Sequence, residues 1–170
     1  SGFRICAHAS AGSTDLNNVT TSGIDTTGAD LIIIAIAGFN SSSICTPTDN
    51  QSNTYTGLTA QLASGGNGTQ LFYKQAPTVG VGHTVTCNTS SLAPAIAFAA
   101  FAGSTASPFD LQNGNAVVGT QFSISTNNIT PSNSNALLVT GVTTGSTTSF
   151  TIDSGFTVAD QTSWVSGQHE

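Results

Sequence analysis

Few side chains in this 170-residue chain could do chemistry, and their spacing decides which. Seven aspartates (Asp15, Asp25, Asp30, Asp49, Asp110, Asp153 and Asp160), three histidines and three cysteines carry most of it. Glycoside hydrolysis needs two carboxyl groups flanking one bond, one of them kept protonated by burial. Every aspartate here falls at or beside a turn rich in Gly, Ser, Thr or Asn, where capping backbone N–H groups is the ordinary role. A Ser–His–Asp relay can be drawn from His83 and one of many serines, but no Gly-x-Ser-x-Gly elbow exists. His83, in Gly82-His-Thr84, reads as the polar face of an exposed strand, His8 as the polar face of the first strand, and His169 as part of a tail. Three dispersed histidines make no metal-ligand spacing. No catalytic residue, no metal and no cofactor is therefore expected.

Calcium is the one metal whose oxygen-ligand chemistry suits these loops. Asp25-Thr-Thr-Gly-Ala-Asp30 and Asp49-Asn-Gln-Ser-Asn53 are the segments concerned. Neither fits an EF-hand loop, and turn chemistry accounts for both. The odd cysteine count, Cys6, Cys45 and Cys87, implies one pair plus a free or intermolecular thiol, or no pair at all. Cys45 and Cys87 lie at the margins of predicted strands and are the favoured bridge. Asn-x-Ser/Thr sequons occur at Asn18, Asn40, Asn50, Asn67, Asn88 and Asn128, so covalent glycans are a candidate partner. Aromatic platforms for sugar are limited to Tyr55, Tyr73 and Trp164, each in a strand pattern where packing explains it.

The elements that must position these residues are strands. Only 6% of the residues are charged, against about 25% in an ordinary soluble domain. The two cations, Arg4 and Lys74, and a net charge of −6 exclude a nucleic-acid surface, which needs several Lys or Arg contacts to phosphate. They exclude a basic membrane-surface helix as well. Polarity comes instead from 22 Ser, 27 Thr and 13 Asn, with 18 Gly. Thr favours strands, and Asn, Ser and Gly favour turns. The longest apolar runs, Leu31–Phe39 and Leu92–Gly103, are far shorter than the 18 or so residues of a spanning helix.

Alternation and turn punctuation predict strands at Phe3–Ala9, Asp30–Gly38, Asn53–Leu58, Gln70–Gln75, Gly82–Cys87 and Ala93–Ala102. Asn135–Thr144, Ser149–Ile152 and Phe156–Ser166 complete the set. Short strands with regular turns indicate an all-β, antiparallel, jelly-roll-like β-sandwich. The run 30–38 is apolar throughout and reads as a central strand buried on both faces. Residues 30–170 form the expected sandwich domain, and 1–29 an N-terminal strand followed by a tether. About twenty residues without structure are uncommon inside a domain. Either they wrap the sandwich edge with a short strand near Leu16–Thr20, or they form a long flexible tether. In the second case Phe3, Ile5, Ala7 and Ala9 belong to an inter-subunit strand on a tether reaching about 65 Å.

Several phrases together carry a resemblance: Thr20-Thr-Ser-Gly-Ile-Asp-Thr-Thr-Gly-Ala-Asp30, Asp49-Asn-Gln-Ser-Asn-Thr-Tyr-Thr-Gly-Leu58, Pro77-Thr-Val-Gly-Val-Gly-His-Thr84, Ala97-Phe-Ala-Ala-Phe-Ala-Gly103 and Ile152-Asp-Ser-Gly-Phe156. In this order the chain resembles a widespread family of uncharacterised bacterial and environmental β-sandwich domains of secreted and surface proteins. The resemblance implies a jelly-roll-like sandwich and an extracellular or cell-surface location, and it carries no activity. Similar sequences continue beyond the segment matching Thr162–Gly167 with two further apolar strands, which are absent here. A sandwich short of strands exposes an edge, and an alternating arm is the kind of element that fills a neighbour's edge. Two functions arise as expectations. One is a non-enzymatic structural subunit of an extracellular filament or surface assembly, partnered by itself head-to-tail through strand exchange. The other is a carbohydrate-binding or adhesion module of a larger secreted protein.

Overall fold

A computed structural model describes residues 2–13, 18–39, 43–64, 66–89, 93–119, 121, 123–145 and 151–162. Nine strands and no helix occur among them: β1 (Arg4–Gly12), β2 (Val19–Thr20), β3 (Leu31–Gly38), β4 (Thr48–Asp49), β5 (Thr56–Gly57), β6 (Gln61–Leu62), β7 (Gly68–Gln75), β8 (Val85–Cys87) and β9 (Ala95–Ala102). All pairings are antiparallel. The larger sheet runs β1-β9-β3-β7-β5, with β6 also on β7, and the smaller runs β2-β8-β4. The chain is an all-β, sandwich-like fold.

The β-branched run in β3 occupies the sheet centre because it can be covered on both sides. Its even positions, Ile32, Ile34 and Ile36, join Phe72, Ile96 and Phe98 on the inner face. Val19, Val85 and Cys87 of the smaller sheet close the same core. Burying each large aliphatic side chain contributes about 1.5–3 kcal/mol, so this layer holds the two sheets together. The odd positions Ile33, Ala35 and Ala37 point the other way and are only half-buried.

The N-terminal segment is more integrated than a twenty-residue tether. β1 pairs with β9 of its own chain along its length, from Arg4↔Ala102 to Gly12↔Ala95. Residues 19–29 are held as well: β2 pairs with β8, Ile24 bridges His83, and Thr26 is fully buried. Ser13 donates its N–H to Pro94 O and Asn18 accepts from the Thr89 amide, so only residues 14–17, outside the described residues, separate the two held stretches. The expected alternation of Phe3, Ile5, Ala7 and Ala9 on one face also fails, because a β-bulge interrupts the register between Ile5 and Ala7. A bulge adds one residue and reverses the facing of the residues after it. Ile5 therefore lies opposite Phe101 on the outer face, while Ala9 lies opposite the core residue Phe98.

The expected strand Asn135–Thr144 is not one, and the described parts of Ser149–Ile152 and Phe156–Ser166 contain none either. These residues belong to an irregular layer that lies over the outer face of the larger sheet, where no strand edge offers hydrogen bonds. Phe109 stacks on Tyr73 with ring centroids 6.0 Å apart. Gly141 sits so close to the sheet that a Cβ there would be 3.1 Å from Ala35 Cβ and 3.3 Å from Leu71. His8 Nδ1 meets Asp160 Oδ2 at 3.0 Å. The layer leaves apolar groups uncovered, among them Val118 at 62% and Val158 at 59% exposure.

Candidate functional site

The densest polar chemistry lies at one end of the sandwich, where three loops converge on Asp49. This residue ends β4, which pairs with β8. Its Oδ1 accepts from the Gln51 amide (3.1 Å) and the Asn53 amide (2.9 Å). Its Oδ2 accepts from Asn53 Nδ2 (2.8 Å), Tyr55 Oη (2.5 Å) and His83 Nε2 (2.9 Å). Burial pushes the carboxyl up, yet the hydrogen bonds from Tyr55, Asn53 and His83 outweigh it and hold Asp49 below the usual carboxylate range. Burial and the adjacent carboxylate drive the Tyr55 hydroxyl far upward, so it remains a donor.

On the other side of the imidazole, His83 Nδ1 lies 3.0 Å from Thr26 Oγ1. Phe98 packs edge-on against the ring at 5.2 Å between centroids. Thr26 also exchanges backbone bonds with Gly80, donating its N–H to Gly80 O and receiving the Gly80 N–H on Oγ1. A hydroxyl can donate or accept. With one imidazole proton, Thr26 donates to Nδ1; with two, it accepts from Nδ1 and turns its proton to Gly80 O at 3.2 Å. Either state leaves every buried atom bonded.

Thr26, His83 and Asp49 thus stand in the order hydroxyl, imidazole, carboxylate, as in a nucleophile relay. All three side chains are shut off from solvent. No substrate reaches them in this arrangement, and what they do is tie the loop at 25–28, the 49–55 segment and the turn before β8 into one clasp. The sequence places His83 on an exposed strand; the structure buries it completely. No local pattern links it to Asp49, 34 positions away. The Asp49-x-x-x-Asn53-x-Tyr55 spacing was the available signal, since one carboxylate there could gather two later donors.

The segments considered for calcium spend their oxygens elsewhere. Asp25 caps the Thr27 amide, and Asp30 receives the Gly103 and Ser104 amides on its two oxygens. Among the described residues no three His, Cys, Asp or Glu side chains converge. Cys45 and Cys87 form a disulfide with Cα atoms 5.9 Å apart, and Cys6 is free. Tyr55 is buried and Tyr73 is covered by Phe109. Trp164, His169 and Asn40 lie outside the described residues.

The second candidate site is the edge of the larger sheet. β1 is the terminal strand of that sheet and, among the described residues, has β9 as its strand partner. Compared with known proteins, the chain matches no family model, no curated protein and no solved structure.

Proposed function

We propose that this chain is a non-enzymatic structural subunit of an extracellular filament or surface assembly, polymerising head-to-tail by exchange of β1. The observation that carries the reading is the position of β1: the strand nearest the N-terminus is an edge strand, paired with β9 from Arg4 to Gly12 with one bulge between Ile5 and Ala7. Withdrawing it uncovers Ile96 and Phe98 at a bare strand edge, and the sequence that fits this edge is another copy of β1. A strand given to the next subunit, with the previous subunit's strand received in return, makes an open-ended chain of contacts.

Other features support the reading. The edge carries few of the charges that keep sheets from pairing with strangers, Arg4 being the one permanent charge on β1. The disulfide is in keeping with an oxidising compartment. The Thr26–His83–Asp49 grouping is sealed from solvent, which favours a structural role for it over an enzymatic one.

Deletion of residues 1–12 tests the proposal. The truncated chain is expected to lose self-assembly and much of its stability, and to recover its fold when a synthetic peptide of that sequence is added. Electron microscopy of the intact chain should reveal fibres. A truncated chain that is monomeric and fully folded would sink the idea.

A further inference from the structure

The six sequons are chemically alike, but their settings in the fold differ. Asn50 is not available: its Nδ2 donates to Gly82 O at 2.8 Å and its Oδ1 accepts from the Thr84 amide at 3.0 Å. It is a structural bridge beside the clasp. The Asn67 side chain is packed against Gly145, with Oδ1 enclosed. Asn18 is exposed, yet its Oδ1 is bound to the amide of Thr89. Asn128 is different. It is exposed, and no hydrogen bond among the described residues engages its side-chain amide. In the Asn88 sequon the Thr89 amide is the group that Asn18 holds, and Ser90 lies outside the described residues. The stretch Asn128-Ile-Thr130 is exposed throughout and belongs to no strand, so it can enter an enzyme's cleft in extended form.

We infer that Asn128 is an N-glycosylation site of the folded protein. The co-reactant is an oligosaccharide carried on a polyprenyl phosphate or pyrophosphate. A bond forms from asparagine Nδ2 to the sugar C1, the C1–O bond to the lipid phosphate breaks, the lipid phosphate departs with the electron pair, and the amide loses one proton to a base of the transferase. The inference rests on the extracytoplasmic location proposed above and not on strand exchange. Its physical value is hydration: attached sugar supplies the polar bulk that a surface with 6% charged residues lacks, and Asn128 directly precedes the exposed Ile129 of the irregular layer.

Peptide mass mapping of the full chain, purified from its own cells, tests this. Glycan mass is expected on the peptide containing Asn128, with the Asn50 and Asn67 peptides unmodified. Asn128→Gln should remove one increment without shifting the unfolding midpoint, whereas Asn50→Gln should lower the midpoint and remove no glycan. Unmodified Asn128, or a glycan on Asn50 at similar occupancy, would overturn the inference. An unmodified chain that still builds filaments would do so while leaving the polymerisation proposal standing.

Discussion

Asp49 Oδ2 and His83 Nε2 lie 2.9 Å apart, with neither side chain exposed to solvent. Removing the imidazole leaves a buried carboxylate short of a donor and the Thr26 hydroxyl facing a cavity. Leaving a buried polar group without its partner costs about 1–3 kcal/mol, and more for a charged one. His83→Ala should therefore lower the free energy of unfolding by about 3 kcal/mol, and Thr26→Val by about 1–2 kcal/mol. In a double-mutant cycle followed by denaturant unfolding the two losses should fail to add, because both act on one network. Strict additivity would refute the clasp.

The same carboxylate makes stability depend on acid. Folding holds Asp49 below the ordinary aspartate value of 3.8. A carboxyl depressed in this way contributes stability that is fully present above the unfolded pKa and is lost as pH falls through the folded one. Asp25 is shifted in the same direction by Thr27, but it is fully exposed and adds little. The denaturation midpoint should therefore decline as the pH drops below about 4. Asp49→Asn should be less stable at neutral pH and show a shallower decline in acid. Equal slopes for the two proteins would assign the acid sensitivity elsewhere.

The disulfide spans 42 positions and ties the strand margin at Cys45 to the fully buried Cys87. Closing a loop of that length restricts the unfolded chain and stabilises the fold by about 2–4 kcal/mol. Cys45→Ser should cost that amount in thermal or chemical unfolding, and reductant should reproduce the loss in the parent protein. Cys6→Ser should leave the response to reductant unchanged.

How much the sequence made legible depends on how local each signal is. The Leu31–Gly38 and Ala95–Ala102 strands were readable because an apolar, β-branched run states its burial within a few residues. The Cys45–Cys87 pair could be favoured from its place at strand margins. The short strand near Leu16–Thr20 was one of two readings of the N-terminal segment, and β2 at Val19–Thr20 matches it. Three things were hidden. The bulge at Cys6 leaves the alternation of residue types intact while reversing which face they serve. The burial of His83 depends on a carboxylate from a distant strand. The apolar pattern of Asn135–Thr144 is that of a strand, but pattern alone does not provide a partner edge.

That last segment offers a direct test of the outer layer. A Cβ at Gly141 would lie 3.1 Å from Ala35 Cβ and 3.3 Å from Leu71, tighter than ordinary contact, so a branched side chain there crowds the sheet. Gly141→Val should push the layer off the outer face at a cost of about 1–3 kcal/mol. Limited proteolysis should then cut within residues 104–162 many times faster, while hydrogen exchange in β3 and β9 stays slow. Unchanged protease resistance would mean that the layer does not rest on Ala35.

Strand exchange can be trapped covalently. His8 and Ala99 are register partners across β1 and β9, and Cα atoms of directly paired residues lie about 4.5–5.5 Å apart, within reach of a disulfide. In a Cys6→Ser background, His8→Cys with Ala99→Cys gives a reporter of whose β1 fills each edge. If β1 passes between subunits, oxidation of assembled material should yield a ladder of covalent oligomers on a non-reducing gel, collapsing to one band on reduction. Oxidation before assembly should lock β1 onto its own β9, leave monomers and abolish polymerisation. Monomeric crosslinks from material already assembled into filaments would mean that β1 never leaves its own sheet, and that the subunits are joined by some other surface.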